Sequence, residues 1–221
     1  MKKQALVIGL GQFGMALARS LTAKRVDVMA VDRDEELVQR ISSYVAEALC
    51  FDTTNEELLA RTAPDKRDYC VVAIGDESRD SSIVTTALLR QMGAPFIITR
   101  ANHEIHERIV RLVGAHEVVN PERAFGERLA NRLAYRGVID QVPIGEDLVF
   151  SELKVPTKAV GRTLADLALP RRFGITVVGI RKIEQGRGHV RSPRPTDPLE
   201  PEDILLVVGA PEGLGKLTEE L

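Results

Sequence analysis

No stretch of this chain approaches the run of about 18 apolar residues that spans a bilayer as a helix. Met1-Lys2-Lys3 leads directly into an apolar segment, which leaves no room for a signal peptide and makes the cytosol the expected compartment. A dominant charge is also missing. Thirty Lys and Arg stand against 32 Asp and Glu, a net charge of −2. With no broad basic surface and no helix-turn-helix pattern, nucleic acid is not an expected partner. There are only two cysteines, and neither belongs to a close-spaced Cys/His cluster, which argues against a zinc site. Cys50 and Cys70 each adjoin an apolar run and read as small buried hydrophobes. His103 and His106 flank Glu104, and His116 stands alone. Without a third ligand all three read as surface residues. Asp76, Glu77 and Asp80 read as a solvated, helix-capping acidic loop. The chain also lacks a Tyr-x-x-x-Lys pair, a Gly-x-Ser-x-Gly elbow and a cysteine with a plausible base, so catalysis is not expected.

What the chain does contain begins at its start. The apolar run Ala5–Ile8 is followed at once by Gly9-Leu10-Gly11-Gln12-Phe13-Gly14, then by a helical pattern, then by Val26–Val31 and Asp32. Strand, glycine turn, helix, strand and acid is the order that builds a nucleotide site. Gly9 allows the tight turn. Gly11 lets a phosphate approach the backbone, and Gly14 lets the helix pack closely on the sheet. The helix N-terminus offers unpaired N–H groups to phosphate. Asp32 lies 18 residues after Gly14, near the roughly 20 expected of a carboxylate that binds ribose hydroxyls.

With 221 residues the chain can form one large domain or two small ones. Residues 1–120 alternate strand and helix and predict a Rossmann-like, doubly wound parallel α/β sheet of about six strands. Pro121 can open a charged helix, and residues 121–138 read as a linker. In residues 139–221 the alternation is lost. Strands are expected at Leu148–Val155, Ile175–Ile180, His189–Arg191 and Ile204–Val208, with a turn at Gly186-Arg187-Gly188. Helices are expected at Thr163–Leu169 and Pro211–Leu221. This is a second, small α+β lobe.

Ligands of open α/β sheets bind at the carboxyl ends of the strands, so several loops should meet the glycine turn. Asp52 and Thr53 end strand three, where an adenine base or ribose would lie. Ala73, Ile74 and Gly75 end strand four, and their small residues allow close approach of a ribose or phosphate. Arg100 ends strand five and offers a cation toward phosphate. Taken alone, these features also fit a small NAD-dependent oxidoreductase.

The segments VIGLGQFG (7–14), AVDRDEE (30–36), DTTNEELL (52–59), VVAIGDES (71–78) and VGAHEVVNPERAFG (113–126), with FGITVVGIRK (173–182) and DILLVVG (203–209), occur in an order that resembles the cytosolic gating subunits of bacterial potassium uptake systems, the KtrA/TrkA type with RCK domains. The resemblance implies a regulatory subunit, not an enzyme. Such subunits pair through the helix at about Glu122–Arg136, form a homo-octameric ring from homodimers, and sit at the inner face of the membrane beneath a potassium-translocating subunit. They bind ATP and ADP, or NAD and NADH. Carried over by position, Asp32 would hold ribose, and Arg33 beside it would belong to the nucleotide site. Gly9, Gly11 and Gly14 would cradle phosphates, with Gln12 and Phe13 of the same turn in the site, and Asp52, Thr53 and Ala73–Gly75 would line the nucleoside. Glu122 matches an acid near the γ-phosphate and a divalent or monovalent cation at the dimer interface; it reads equally as a first-turn carboxylate favoured by the helix dipole. Close relatives often carry Arg where this chain has Gln12, a weaker, neutral donor. The resemblance therefore does not carry ATP selectivity over, and ADP, AMP and NAD(H) stand as candidates beside ATP. Some relatives bind cyclic di-AMP in the second lobe through a hydrophobic pair and an Arg. This chain has Leu164, Ala165 and Pro170 at those places, and the resemblance does not extend to that ligand.

Overall fold

The computed structural model describes residues 2–184 and 187–221, so Gly186 of the expected turn lies outside the described residues. The chain divides into two compact units, Met1–Arg123 and Ala124–Leu221.

In the first unit, β1 (Gln4–Ile8), α1 (Gln12–Ala23), β2 (Asp27–Asp32), α2 (Glu35–Ser42), β3 (Glu47–Cys50), α3 (Glu56–Ala60), β4 (Tyr69–Val72), α4 (Arg79–Gln91), β5 (Ile97–Arg100), α5 (Glu104–Val113) and β6 (Glu117–Val119) follow in sequence. The strands form one parallel sheet in the order β3-β2-β1-β4-β5-β6. The doubly wound Rossmann-like sheet is therefore as expected. Side chains alternate across it. Val7, Val28 and Ala30 pack with Ala18 of α1 and Ile41 of α2 on one face. Leu6, Ile8, Val31, Val72 and Ile97 pack with Leu59 of α3 and Leu89 of α4 on the other. Each such large side chain, fully buried, contributes about 1.5–3 kcal/mol. Covering both faces explains the continuous apolar strands. The strand order reverses between β1 and β4, which opens a crevice at their carboxyl ends.

The caps also follow from residue type. Asp34 accepts the N–H groups of Glu36 and Leu37 at the start of α2, and Asn55 accepts that of Leu58 at the start of α3.

The helix α6 (Pro121–Ala134) begins in the first unit, with the Arg123 N–H donating to Oδ1 of Asn120 at 2.9 Å. None of its residues is buried. The second unit then contains β7 (Val138–Ile144), β8 (Leu148–Lys154), α7 (Leu164–Leu167), α8 (Leu169–Phe173), β9 (Thr176–Glu184), β10 (Arg187–Arg191), β11 (Ile204–Gly209) and α9 (Pro211–Glu220). Its five strands form an antiparallel sheet in the order β10-β9-β11-β8-β7. Leu153, Ile180, Leu205 and Val207 of the sheet bury against Leu167, Phe173, Leu214 and Leu217 of its helices. Three features depart from expectation. β7 is an additional strand, Arg187 and Gly188 of the expected turn belong to strand β10, and the helix expected at Thr163–Leu169 ends at Leu167, with a further short helix, α8, after it. Ala168, in the left-handed conformation at φ 46°, separates α7 from α8.

Candidate functional site

A cleft opens at the strand-order reversal. Ten of the residues selected from the sequence line it together: Gly9, Gly11, Asp32, Arg33, Asp52, Thr53, Ala73, Ile74, Gly75 and Arg100. Gln12, Phe13, Gly14 and Glu122 do not line it. Ile8, Asp34, Leu37, Phe51, Glu77, Ser78 and Ser81 also contribute. Of these, Glu77 and Ser78 lie in the 3-10 turn Asp76–Ser78 that follows Gly75, so Glu77, read from the sequence as part of a solvated acidic loop, lines the cleft.

The glycines do different work. Gly9 has φ +90°, and a Cβ there would come within 2.9 Å of the Ile74 nitrogen. A Cβ on Gly14 would overlap the carbonyl oxygen of Gly9. Gly14 thus presses α1 onto the turn and never reaches the ligand space. A Cβ on Gly11 would meet nothing within 4 Å, since Gly11 faces open cleft. Gly11 is the N-cap of α1 without a side-chain cap bond, and the first turn carries no acid. Its unpaired N–H groups suit an anion.

Asp32 is already engaged. The Leu10 N–H donates to its Oδ2 at 2.5 Å, and the Asp34 N–H donates to its Oδ1 at 2.9 Å. An ionised carboxylate has about four lone-pair sites, so each oxygen keeps room for a ribose hydroxyl. Arg33 reaches from the end of β2 across the cleft, where its Nη2 donates to Oγ of Ser78 at 3.3 Å. The Asp52 carboxyl is held below its ordinary pKa by the Thr54 backbone N–H and hydroxyl, with a smaller contribution from the Arg33 charge. It therefore faces the cleft as an acceptor. Thr53 is buried, and its hydroxyl is bonded to that of Thr85 at 2.8 Å. Its hydroxyl is thus committed to packing against α4.

Arg100 pairs with Glu122, Nη2 to Oε1, at 2.5 Å. Its Nε is buried without an acceptor. Glu122 thus touches the cleft only through this cation.

One histidine corrects the surface reading, while His103 and His116 are exposed as expected. His106 is 3% exposed, and neither ring nitrogen has a partner. Burial lowers its pKa, while Asp76 acts in the opposite direction. His116 accepts the Ile97 N–H at Nδ1, 2.9 Å away, and stacks on Phe96. Cys50 is exposed, against its reading as a buried hydrophobe, whereas Cys70 is buried as expected, with its thiol pKa pushed up to about 12. Among the described residues no group of three or more His, Cys, Asp or Glu is placed to hold a metal ion. Among them, too, no helix is long and apolar enough to cross a membrane.

Residues 5–121 match the TrkA-N domain, and residues 148–221 match the TrkA-C domain. The chain belongs to the TrkA/Ktr family of potassium-uptake proteins. It is 34% identical to the Ktr system potassium uptake protein C of Bacillus subtilis (strain 168), over 95% of this chain and 93% of that protein. It is 32% identical to the Ktr system potassium uptake protein A of Vibrio alginolyticus, over 99% and 98%. Among solved structures, the GsuK channel bound to NAD shares the fold at TM-score 0.64 and 18% identity. That match covers 97% of this chain and 38% of the channel, so the chain spans less than half the channel's length.

In the TrkA-C half of this family member, Leu164, Ala165, Leu169, Pro170 and Val177 line an apolar groove with Pro193 and Pro195. Pro170 brings no cation to it.

Proposed function

We propose that the chain is the cytoplasmic, nucleotide-sensing gating subunit of a potassium transport system. The observation that carries the proposal is the meeting of ten sequence-selected residues in one cleft of a TrkA-N fold. The ligand is an adenine nucleotide. Gly11 and the start of α1 take the phosphates, Asp32 takes ribose, and Asp52 takes the adenosine end. Among the described residues, acids outnumber bases around this cleft, with Asp32, Asp34, Asp52 and Glu77 facing Arg33 and Arg100. With Gln12 in the turn, that balance favours ADP, AMP or NAD(H) over ATP. A GsuK structure that contains NAD supports a dinucleotide in such a fold.

Residues 1–120 act as the nucleotide domain, 121–138 as the dimerisation linker and 139–221 as the second lobe. α6 has no buried residue and leaves Phe125 and Leu133 exposed, which supports pairing of two copies along it. Ile105 and Leu112 of α5 are exposed as well and support further contacts in a homo-octameric ring. A cation between copies would draw Glu122 from each, with its other donors supplied by the nucleotide or the second copy. The ring docks on a membrane subunit that translocates potassium. A nucleotide can shift such an assembly only by binding its states with different affinities.

The chain acts as a sensor and not as an enzyme. No Tyr, Lys, His or Cys lines the cleft among the described residues to move a proton beside a nicotinamide. Reconstitution with the Ktr membrane subunit of its own organism tests the proposal. Potassium flux that changes with ADP, ATP or NADH is the expected result. Flux indifferent to all of them, or indifferent to the presence of the chain, would overturn it.

A further inference from the structure

Arg100 lines the cleft, and its side chain is only 17% exposed. Its Nη2 is held by Glu122 at 2.5 Å, while its buried Nε donates to nothing. A buried N–H left without an acceptor is costly, and nearly all such groups in folded proteins find one. Arg100 also lines the cleft, so an oxygen carried in by the ligand can take the guanidinium donors that Glu122 holds.

A guanidinium presents five donors in a planar fork that suits two oxygens at once. Glu122 occupies part of that fork through one oxygen. Its side chain is 54% exposed, so the pair is weakly held and Glu122 is readily hydrated once released. It also stands in the first turn of α6, where the helix N-terminus favours a negative charge with or without Arg100.

We propose that Glu122 is a built-in stand-in for ligand phosphate. It holds Arg100 while the cleft lacks phosphate charge, and a nucleotide phosphate that takes the guanidinium displaces it. The displaced residue lies in the segment where the chain passes from the first unit to the second, since the boundary falls after Arg123. The exchange of partners at Arg100 thus converts phosphate charge in the cleft into freedom of the first turn of α6. The inference rests on the nucleotide reading of the cleft, and Arg100 acts in it as the residue that reads phosphate.

Calorimetry on the full chain with ADP and adenosine separates the two ideas. Glu122→Gln removes the competitor, so the ratio of ADP to adenosine affinity rises about threefold to fivefold, the scale of an exposed ion pair. Arg100→Gln lowers that ratio about tenfold, as loss of a charged hydrogen bond should. In the Arg100→Gln background, Glu122→Gln has no further effect on the ratio. Amide exchange in the first turn of α6 speeds up with ADP and not with adenosine. A ratio unmoved by Glu122→Gln, an effect that persists without Arg100, or exchange that ignores ADP would overturn the stand-in role and leave the nucleotide site intact. Binding of neither compound to the unaltered chain would overturn both.

Discussion

The Leu10 N–H donates to the Asp32 carboxylate at 2.5 Å, tying the acid that ends β2 to the glycine turn that follows β1. With the Asp34 N–H on its other oxygen, Asp32 braces the turn and also faces the cleft. Asp32→Ala should therefore do two things. Two backbone donors lose their acceptor, at about 1–3 kcal/mol of stability. Nucleotide affinity falls as well, by about tenfold or more for a lost charged hydrogen bond. Urea unfolding and calorimetry measure the two effects independently. Unchanged affinity would remove Asp32 from the site.

Gly11 and Gly14 should separate binding from folding. Ala at position 14 drives its Cβ into the Gly9 carbonyl, and overpacking of this kind costs about 3 kcal/mol. Ala at position 11 has free space and an acceptable φ of −60°, so stability should stay within about 0.5 kcal/mol. Its methyl points into the phosphate approach, and affinity should drop at least about tenfold. A Gly11→Ala protein that binds as before would place the phosphates elsewhere.

Gln12 is exposed and sits at the first position of α1, outside the lining of the cleft. Gln12→Arg adds a charge at the end of the helix that faces phosphate. The ATP-to-ADP affinity ratio should rise several-fold, at most the worth of one charged hydrogen bond, about 1.5–3 kcal/mol. An unmoved ratio means that position 12 lies away from the γ-phosphate.

His106 should mark the acid side of the stability profile. Burial holds the folded imidazole below its ordinary pKa of 6.5, with Asp76 opposing and Arg79 and His103 assisting. The unfolded chain takes up a proton near 6.5, and the folded chain does so only at lower pH. Stability is thus full above about pH 6.5 and declines as pH falls from there through the folded value. His106→Gln should flatten that decline in urea unfolding between pH 7 and 5. An identical slope would show that His106 does not titrate differently on folding.

The first unit was largely legible because its signals are local. Strands β1 to β6 are short apolar runs between helices, of which α2 and α3 carry side-chain caps, and the site glycines and acids stand at strand ends. β7 was missed because it is an edge strand that pairs only with β8 and carries Asp140, Gln141 and Pro143. A proline is tolerated at such an edge and reads as a break. The split at Ala168 depends on a left-handed residue that nothing in Thr163–Leu169 announces. On α5 the pattern misleads, since His106 is buried while Ile105 and Leu112 are exposed. In the site, the missed relationships join distant residues. Arg33 meets Ser78 across 45 positions, and Arg100 meets Glu122 across 22. Only the folded sheet brings these ends together.

Titration of the purified full chain with ADP, NADH and ATP in a calorimeter tests the central claim most directly. The account predicts saturable binding of one nucleotide per chain, with ADP or NADH tighter than ATP, and binding weakened at least about tenfold in Gly11→Ala with little change in stability. A folded chain that takes up none of the three nucleotides would contradict it.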